Sequence, residues 1–303
     1  MGEAGSLLIL FSSAPPLLCS STLLSPSPPL LFSSAPLPLS SSPFTMPLDV
    51  RKTWNACGEA FDRFTSAADS FSDNIERPAI ERLIGDVAGS RILELGCGSG
   101  PYSVWLADRG AQVIGLDLSP TMISLAQERA SKRNLQAEFR VADIRDALPF
   151  NDAQFDLVFS ATTLHYVENL DATLNEAARV MKPGGRLVAS VLHPMSTARF
   201  PLADADDVEG PNPWEGWYFG SPDRCIETPW LAFGDVPSEG RWISCHHHTV
   251  SEYFDALTSA GLSVTNLVEP LPPPEFAAKN SARYDEALRV PVFLIFKAQL
   301  TKQ

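Results

Sequence analysis

The residues that could do chemistry in this chain are acids and glycines at regular spacing. Glu94-Leu95-Gly96-Cys97-Gly98-Ser99-Gly100 follows the apolar run Ile92-Leu93 and precedes Pro101. Glycines let a backbone reach positive φ and let a ligand lie close against it. Pro101 is pre-shaped for the first position of a helix. The free amides at that helix start would face a polar or negatively charged group. Asp117 ends the next apolar run, Val113-Ile114-Gly115-Leu116. An acid about 20 residues past such a loop, at a strand end, can accept both hydroxyls of a ribose. Asp143 ends a third run, Phe139-Arg140-Val141-Ala142. Two carboxylates on neighbouring strand ends repel a phosphate, so they suit an adenosine that carries none.

These residues need strands to end at one edge and helices to begin there. The sequence predicts that arrangement. A helix runs from Pro101 to a cap at Gly110, and strand 112–117 follows. Ser119-Pro120 starts a helix that ends near Arg133. Strands are expected at 137–143, 155–160 and 186–192. Leu174, Ala177, Ala178 and Met181 lie at helical spacing, and Lys182-Pro183-Gly184-Gly185 stops that helix. Thr249 and Glu252 form a capping box for a helix that Gly261 ends. Strands 262–268 and 290–297 close the chain, with prolines 270, 272, 273 and 274 marking a loop. Residues 51–87 read as amphipathic helix, with Trp54, Phe61, Phe64 and Phe71 on apolar faces. Alternating strands and helices imply a mostly parallel sheet covered on both faces, with ligand at the carboxyl ends of the strands.

The set 94–100, Asp117, Asp143-Ile144, 155–166 and 179–187, in this order and spacing, resembles the motifs of the class I S-adenosylmethionine (SAM)-dependent methyltransferases, type 11-like. The resemblance covers residues 75–193. It implies a doubly wound, Rossmann-like α/β domain with a seven-stranded, mostly parallel sheet whose last strand is antiparallel. It implies SAM as methyl donor and a small-molecule acceptor. The cofactor residues carried over are Glu94, Gly96, Cys97, Gly98, Gly100, Asp117, Leu118, Met122, Asp143, Ile144 and Ser160. Asp143 would accept from the adenine amino group, with Ile144 on the ring. Ser160, Ala161 and His165 would border the methyl group, and Phe71 is a candidate to cover the cofactor. Methyl transfer from a sulfonium is an in-line displacement, and a general base is needed only where the acceptor must lose a proton. His165 and His193 are the candidates for that base; each also reads as a structural histidine. Other readings stand beside this one. The dinucleotide fingerprint G-x-G-x-x-G has its third glycine one residue early here, with Pro101 in the sixth place, and Asp143 also weighs against an NAD(P)-dependent oxidoreductase. A SAM-binding protein without catalysis and a methyltransferase of RNA or protein remain open.

The chain has 303 residues and a formal net charge of -13, which argues against general binding to nucleic acid or an anionic membrane. Its five cysteines are scattered and show no zinc spacing. His246-His247-His248 would alternate faces of a strand, so no metal is expected. Residues 1–46, rich in Ser, Pro and Leu, read as a disordered extension: either a transit peptide, which implies the chloroplast, or sequence upstream of a start at Met46, which implies the cytoplasm. The catalytic domain then spans 47–303, with a cofactor-binding core at 75–193, an insert at 194–245 and a final helix and two strands at 246–303. The insert carries Trp214, Trp217, Trp230 and Trp242. It reads either as a wall around an apolar or aromatic substrate or as a satellite core. Oligomeric state is not legible.

Overall fold

A computed structural model of the chain describes residues 49–198, 218–219, 223–227 and 229–301. The expectations for residues 1–46 and for Trp214 and Trp217 lie outside the described residues. Asp49 caps α1 (Val50–Thr65), its side chain accepting from the Lys52 amide. A π-helical turn, Ser72–Glu76, runs into α2 (Arg77–Ile84). β1 (Arg91–Leu95), α3 (Pro101–Asp108), β2 (Gln112–Asp117), α4 (Pro120–Lys132) and β3 (Ala137–Val141) follow. The Ser119 side chain caps α4 by accepting from the Met122 amide. Then come β4 (Phe155–Ala161), α5 (Leu170–Val180), β5 (Met181–Leu192) and the short α6 (Pro194–Thr197). β6 (Asp223–Glu227) and β7 (Trp242–His246) pair as an antiparallel ribbon. The chain closes with α7 (Val250–Ser259), β8 (Leu262–Val268), α8 (Pro274–Lys279), α9 (Ser281–Arg289) and β9 (Phe293–Leu300). Both halves of the Thr249–Glu252 capping box are present at α7.

The main sheet of the described residues has seven strands in the order β3-β2-β1-β4-β5-β9-β8. The first five are parallel, and β9 runs antiparallel to both of its neighbours. The order reverses between β1 and β4, so the carboxyl ends of these strands open a crevice. The apolar faces follow from the expected patterns. Leu170, Leu174 and Ala177 of α5 join Tyr253 and Leu257 of α7 on one face of the sheet. Ile80 and Ile84 of α2 join Tyr102 and Leu106 of α3 on the other.

Two local expectations change, and one open alternative is decided for Trp230. The stretch 182–185 lies inside β5, where an irregularity in the pairing with β4 absorbs its glycines, and the helix before it ends at Val180. The segment after Pro274 is two helices, since prolines also suit helix starts. Trp230 belongs to a satellite core: it is buried, stacked on Trp54 at 5.6 Å and set edge-on to Phe61 at 4.9 Å.

Gly100 shows how the crevice is assembled. Its φ is +77°, and a Cβ there would lie 2.9 Å from the Ala126 Cβ of α4. The expected result for Gly100→Ala is a loss of about 1–3 kcal/mol in urea unfolding, from backbone strain plus overpacking between α3 and α4. An unchanged unfolding midpoint would contradict this packing.

Candidate functional site

The site begins where β1 ends. Gly96 turns the chain with φ +70°, and a Cβ on it would collide with the Thr163 side chain beyond β4. The loop is fastened to β2 at two points. The Cys97 amide donates to the Leu116 carbonyl at 2.8 Å. The Gly98 amide donates to Asp117 Oδ2 at 2.8 Å, while the Ser119 amide donates to Oδ1 at 2.9 Å. Each carboxylate oxygen keeps a lone pair for a further donor. Burial pushes the Asp117 carboxyl up to about 6, against the pull of those two amides.

Asp143, past the end of β3, is gripped by Arg145: Nε donates to Oδ1 at 2.9 Å and Nη2 to Oδ2 at 2.6 Å. That hydrogen-bonded guanidinium holds the Asp143 carboxyl below its usual value. Helix α1 lies across the loop and α4. Asp62 accepts from the Ser99 hydroxyl and, at 2.5 Å, from Arg129 Nη2; the Ser119 hydroxyl donates to Asn55 at 2.7 Å.

These elements enclose a cavity of about 700 Å³. Glu94, Gly96, Cys97, Gly98, Asp117, Leu118, Met122, Asp143 and Ile144 all line it. Gly100 and Ser160 do not. Gly100 faces α4, and the Ser160 hydroxyl donates to the Leu95 carbonyl at 3.0 Å inside the sheet. The next residues, Ala161, Thr162 and Thr163, take the place expected of Ser160.

Neither candidate base lines the cavity. His165 is 1 % exposed, and neither ring nitrogen has a hydrogen-bond partner. Burial pushes it down to about 3, so it is neutral. His193 caps α6, its Nδ1 accepting from the Met195 amide at 3.0 Å. Nε2 therefore carries the proton and donates to Glu269 at 2.8 Å. Phe71 also points elsewhere: it packs edge-on against Phe276 at 5.9 Å and under the Arg283 guanidinium. The aromatic rings that do line the cavity include Trp54 and Phe61 of α1 and Tyr166. The three histidines at 246–248 do not converge. His247 bonds Thr197 and the Tyr218 carbonyl, and His248 bonds the Val167 carbonyl.

The sequence reading missed Glu76, Arg77 and Thr162. Glu76 lies on the stripe of Ala79 and Ile80, at i, i+3 and i+4, and an acid on a buried stripe was the available signal. It accepts from the Ser190 hydroxyl, and burial pushes it up to about 7. Arg77 is turned to Asp73, at 2.9 Å. Thr162 has φ +47°, unusual for a β-branched residue. Its amide donates to the Ser190 carbonyl at 2.9 Å and the Ser190 hydroxyl at 3.1 Å. Glu94 accepts from the Ser103 hydroxyl, and burial pushes it up to about 8.

Comparison with known proteins bears on this site. A family described as "Methyltransferase domain" matches residues 93–189. A crystal structure of an S-adenosylmethionine-dependent methyltransferase from Mesorhizobium loti is 32% identical, with a TM-score of 0.59. The match covers 74% of this chain and 97% of that one. A demethylmenaquinone methyltransferase of Tropheryma whipplei is 36% identical over 140 residues, 46% of this chain and 57% of its own length. A ubiquinone biosynthesis O-methyltransferase of Xanthomonas oryzae is 36% identical over 118 residues, 39% of this chain and 49% of its own length. The chain thus spans about half the length of the curated relatives it matches.

The buried acids make stability depend on pH. Unfolded, Glu94 titrates near its ordinary value of 4.5; folded, it titrates near 8. Between these values the folded chain holds a proton that the unfolded chain releases, so stability falls as pH rises through about 8. The expected result is a melting temperature that drops as pH rises from about 5 to about 8, levels off above that, and drops less in Glu94→Gln. Parallel pH profiles for wild type and variant would contradict a neutral Glu94.

Proposed function

The chain belongs to the S-adenosylmethionine-dependent methyltransferases, and from that premise we propose that it methylates a small molecule held beside that donor in the cavity at the strand ends. One observation carries the reading: the glycine loop, Asp117 and Asp143 meet on a single cavity. The donor set fits a nucleoside without phosphates. Among the described residues four arginines line the cavity, Arg77, Arg129, Arg133 and Arg145, and all but Arg133 are paired with an acid. A pyrophosphate would share the cavity with Asp117 and Asp143, which disfavours a nicotinamide dinucleotide.

In this reading Asp117 takes the ribose hydroxyls on its remaining lone pairs. Asp143, oriented by Arg145, accepts from the adenine amino group. Leu118, Met122 and Ile144 flank the ring, and Glu94 faces the ammonium of the methionine part. S-adenosylmethionine, when bound, supplies an electrophilic methyl carbon on a sulfonium centre. The protein's part is to hold the acceptor atom in line with that carbon, which can be worth on the order of 7–11 kcal/mol. Ala161, Thr162 and Thr163 form the floor on that side, and Trp54, Phe61 and Tyr166 the aromatic wall. Such a wall suits an acceptor with an apolar ring, in keeping with the names of the quinone-related relatives. His165 and His193 serve the fold in this account, not the reaction.

Calorimetry with S-adenosylhomocysteine tests the site. The full chain is expected to bind it, and Asp117→Ala to weaken binding by about tenfold or more, the worth of charge-assisted hydrogen bonds. Equal affinity in the variant would contradict the ribose assignment. Incubation with methyl-labelled donor and a metabolite extract is expected to label a small molecule; label confined to RNA or protein would contradict the acceptor class.

A further inference from the structure

Glu76 and Glu94 are two buried carboxyls on one cavity; each accepts from a serine hydroxyl, and the Arg77 guanidinium acts on both. Glu94 stands at the end of β1, under the glycine loop that fastens to Asp117. Glu76 stands on the other side of the switch in strand order. The Ser190 hydroxyl of β5 donates to it, and the same hydroxyl accepts from the Thr162 amide just past β4. It is therefore tied to the strand ends that border the reacting methyl in the proposed function, away from the adenosine acids of β2 and β3. Arg77, its neighbour in sequence, is held by Asp73 and stacks over the Tyr102 ring at 4.5 Å. Tyr102 lines the cavity, and its buried hydroxyl acts on the Glu76 carboxyl. The groups facing Glu76 are thus Ser72 of its own turn, Arg77 of α2, Tyr102 of α3 and Ser190 of β5, while Asp73 and Glu94 act on the adjoining Tyr102.

We propose that Glu76 distinguishes the sulfonium donor from its thioether product, releasing its own proton to solvent when the sulfonium charge enters the cavity. This inference rests on the S-adenosylmethionine reading. Arg77, the cation acting on Glu76, is already paired with Asp73; a buried carboxyl left with so little compensating charge holds its proton and becomes a carboxylate when a further positive charge arrives beside it. After methyl transfer the sulfur is neutral, the carboxylate loses its partner, and the proton returns. Product is then held less tightly than donor. Glu94 does not give this selectivity, because the ammonium it faces is common to both ligands.

Calorimetry on the full chain with S-adenosylmethionine and S-adenosylhomocysteine, in phosphate and in Tris, counts the protons released by each. More protons are expected with the sulfonium ligand; the shared amino group cancels in the comparison. The preference for the donor is expected to grow about tenfold between about pH 6 and about pH 8.5, as a carboxylate becomes available. Glu76→Gln is expected to remove that growth while S-adenosylhomocysteine affinity stays within about twofold, since the amide keeps an acceptor for Ser190. If that variant does not fold, Ser190→Ala keeps the carboxyl but removes its hydrogen bond, and the preference is expected to set in at higher pH. Equal proton release for both ligands in the wild type, or an unchanged pH dependence in Glu76→Gln, overturns the proposal while the cofactor site stands. No binding of either ligand overturns the cofactor reading and this inference with it.

Discussion

The bond from the Gly98 amide to the Asp117 carboxylate holds the site in its present form. It joins the loop after β1 to the end of β2 and fixes the loop as a floor. It also fixes where Asp117 presents its free lone pairs. Burying a carboxylate is costly, and two backbone amides offset that cost without adding a positive charge. A guanidinium in their place would neutralise the acid and consume the lone pairs a ribose needs. Asp143 answers the same problem differently, with Arg145 as partner, and it is correspondingly the more acidic of the two.

Around that bond the fold supplies walls of different chemistry. The parallel strands bring Glu94, Asp117 and Asp143 to one edge, because a right-handed strand-helix-strand repeat returns every strand in the same direction. Helix α1 crosses over the top, held by Asp62 to both Ser99 and Arg129. Its aromatic side joins Trp230 in a satellite core while Trp54 and Phe61 still border the cavity. The same helix therefore packs the insert onto the domain and closes the site. A substitution in its aromatic stripe would affect the satellite core and the cavity wall together.

The parts legible in the sequence are those governed by short-range rules. The loop, Asp117 and Asp143 follow from strand ends and spacing within consecutive elements, and the structure brings them to one cavity. Ser160 could not be separated from Ala161 by the same rules. Side chains of a strand alternate, and one position of register decides which of the two faces the ligand. His165 and His193 both follow strand ends, as an active-site histidine would. Their side chains turn into the protein, one buried against Tyr166 and one to a helix cap, and only tertiary packing shows it. Glu76 was hidden for another reason: its partner, Ser190, lies 114 residues away. Phe71 was drawn to the cofactor by the resemblance, whereas α8 supplies Phe276 as its partner.

The central claim is that the loop at 96–100 and the acids at 117 and 143 hold one nucleoside without phosphates. A crystal structure of the full chain with S-adenosylhomocysteine tests it most directly. The account predicts the ribose hydroxyls within hydrogen-bond distance of Asp117, and the adenine beside Ile144 with its amino group toward Asp143. A ligand bound elsewhere, or a ribose turned away from Asp117, would contradict it.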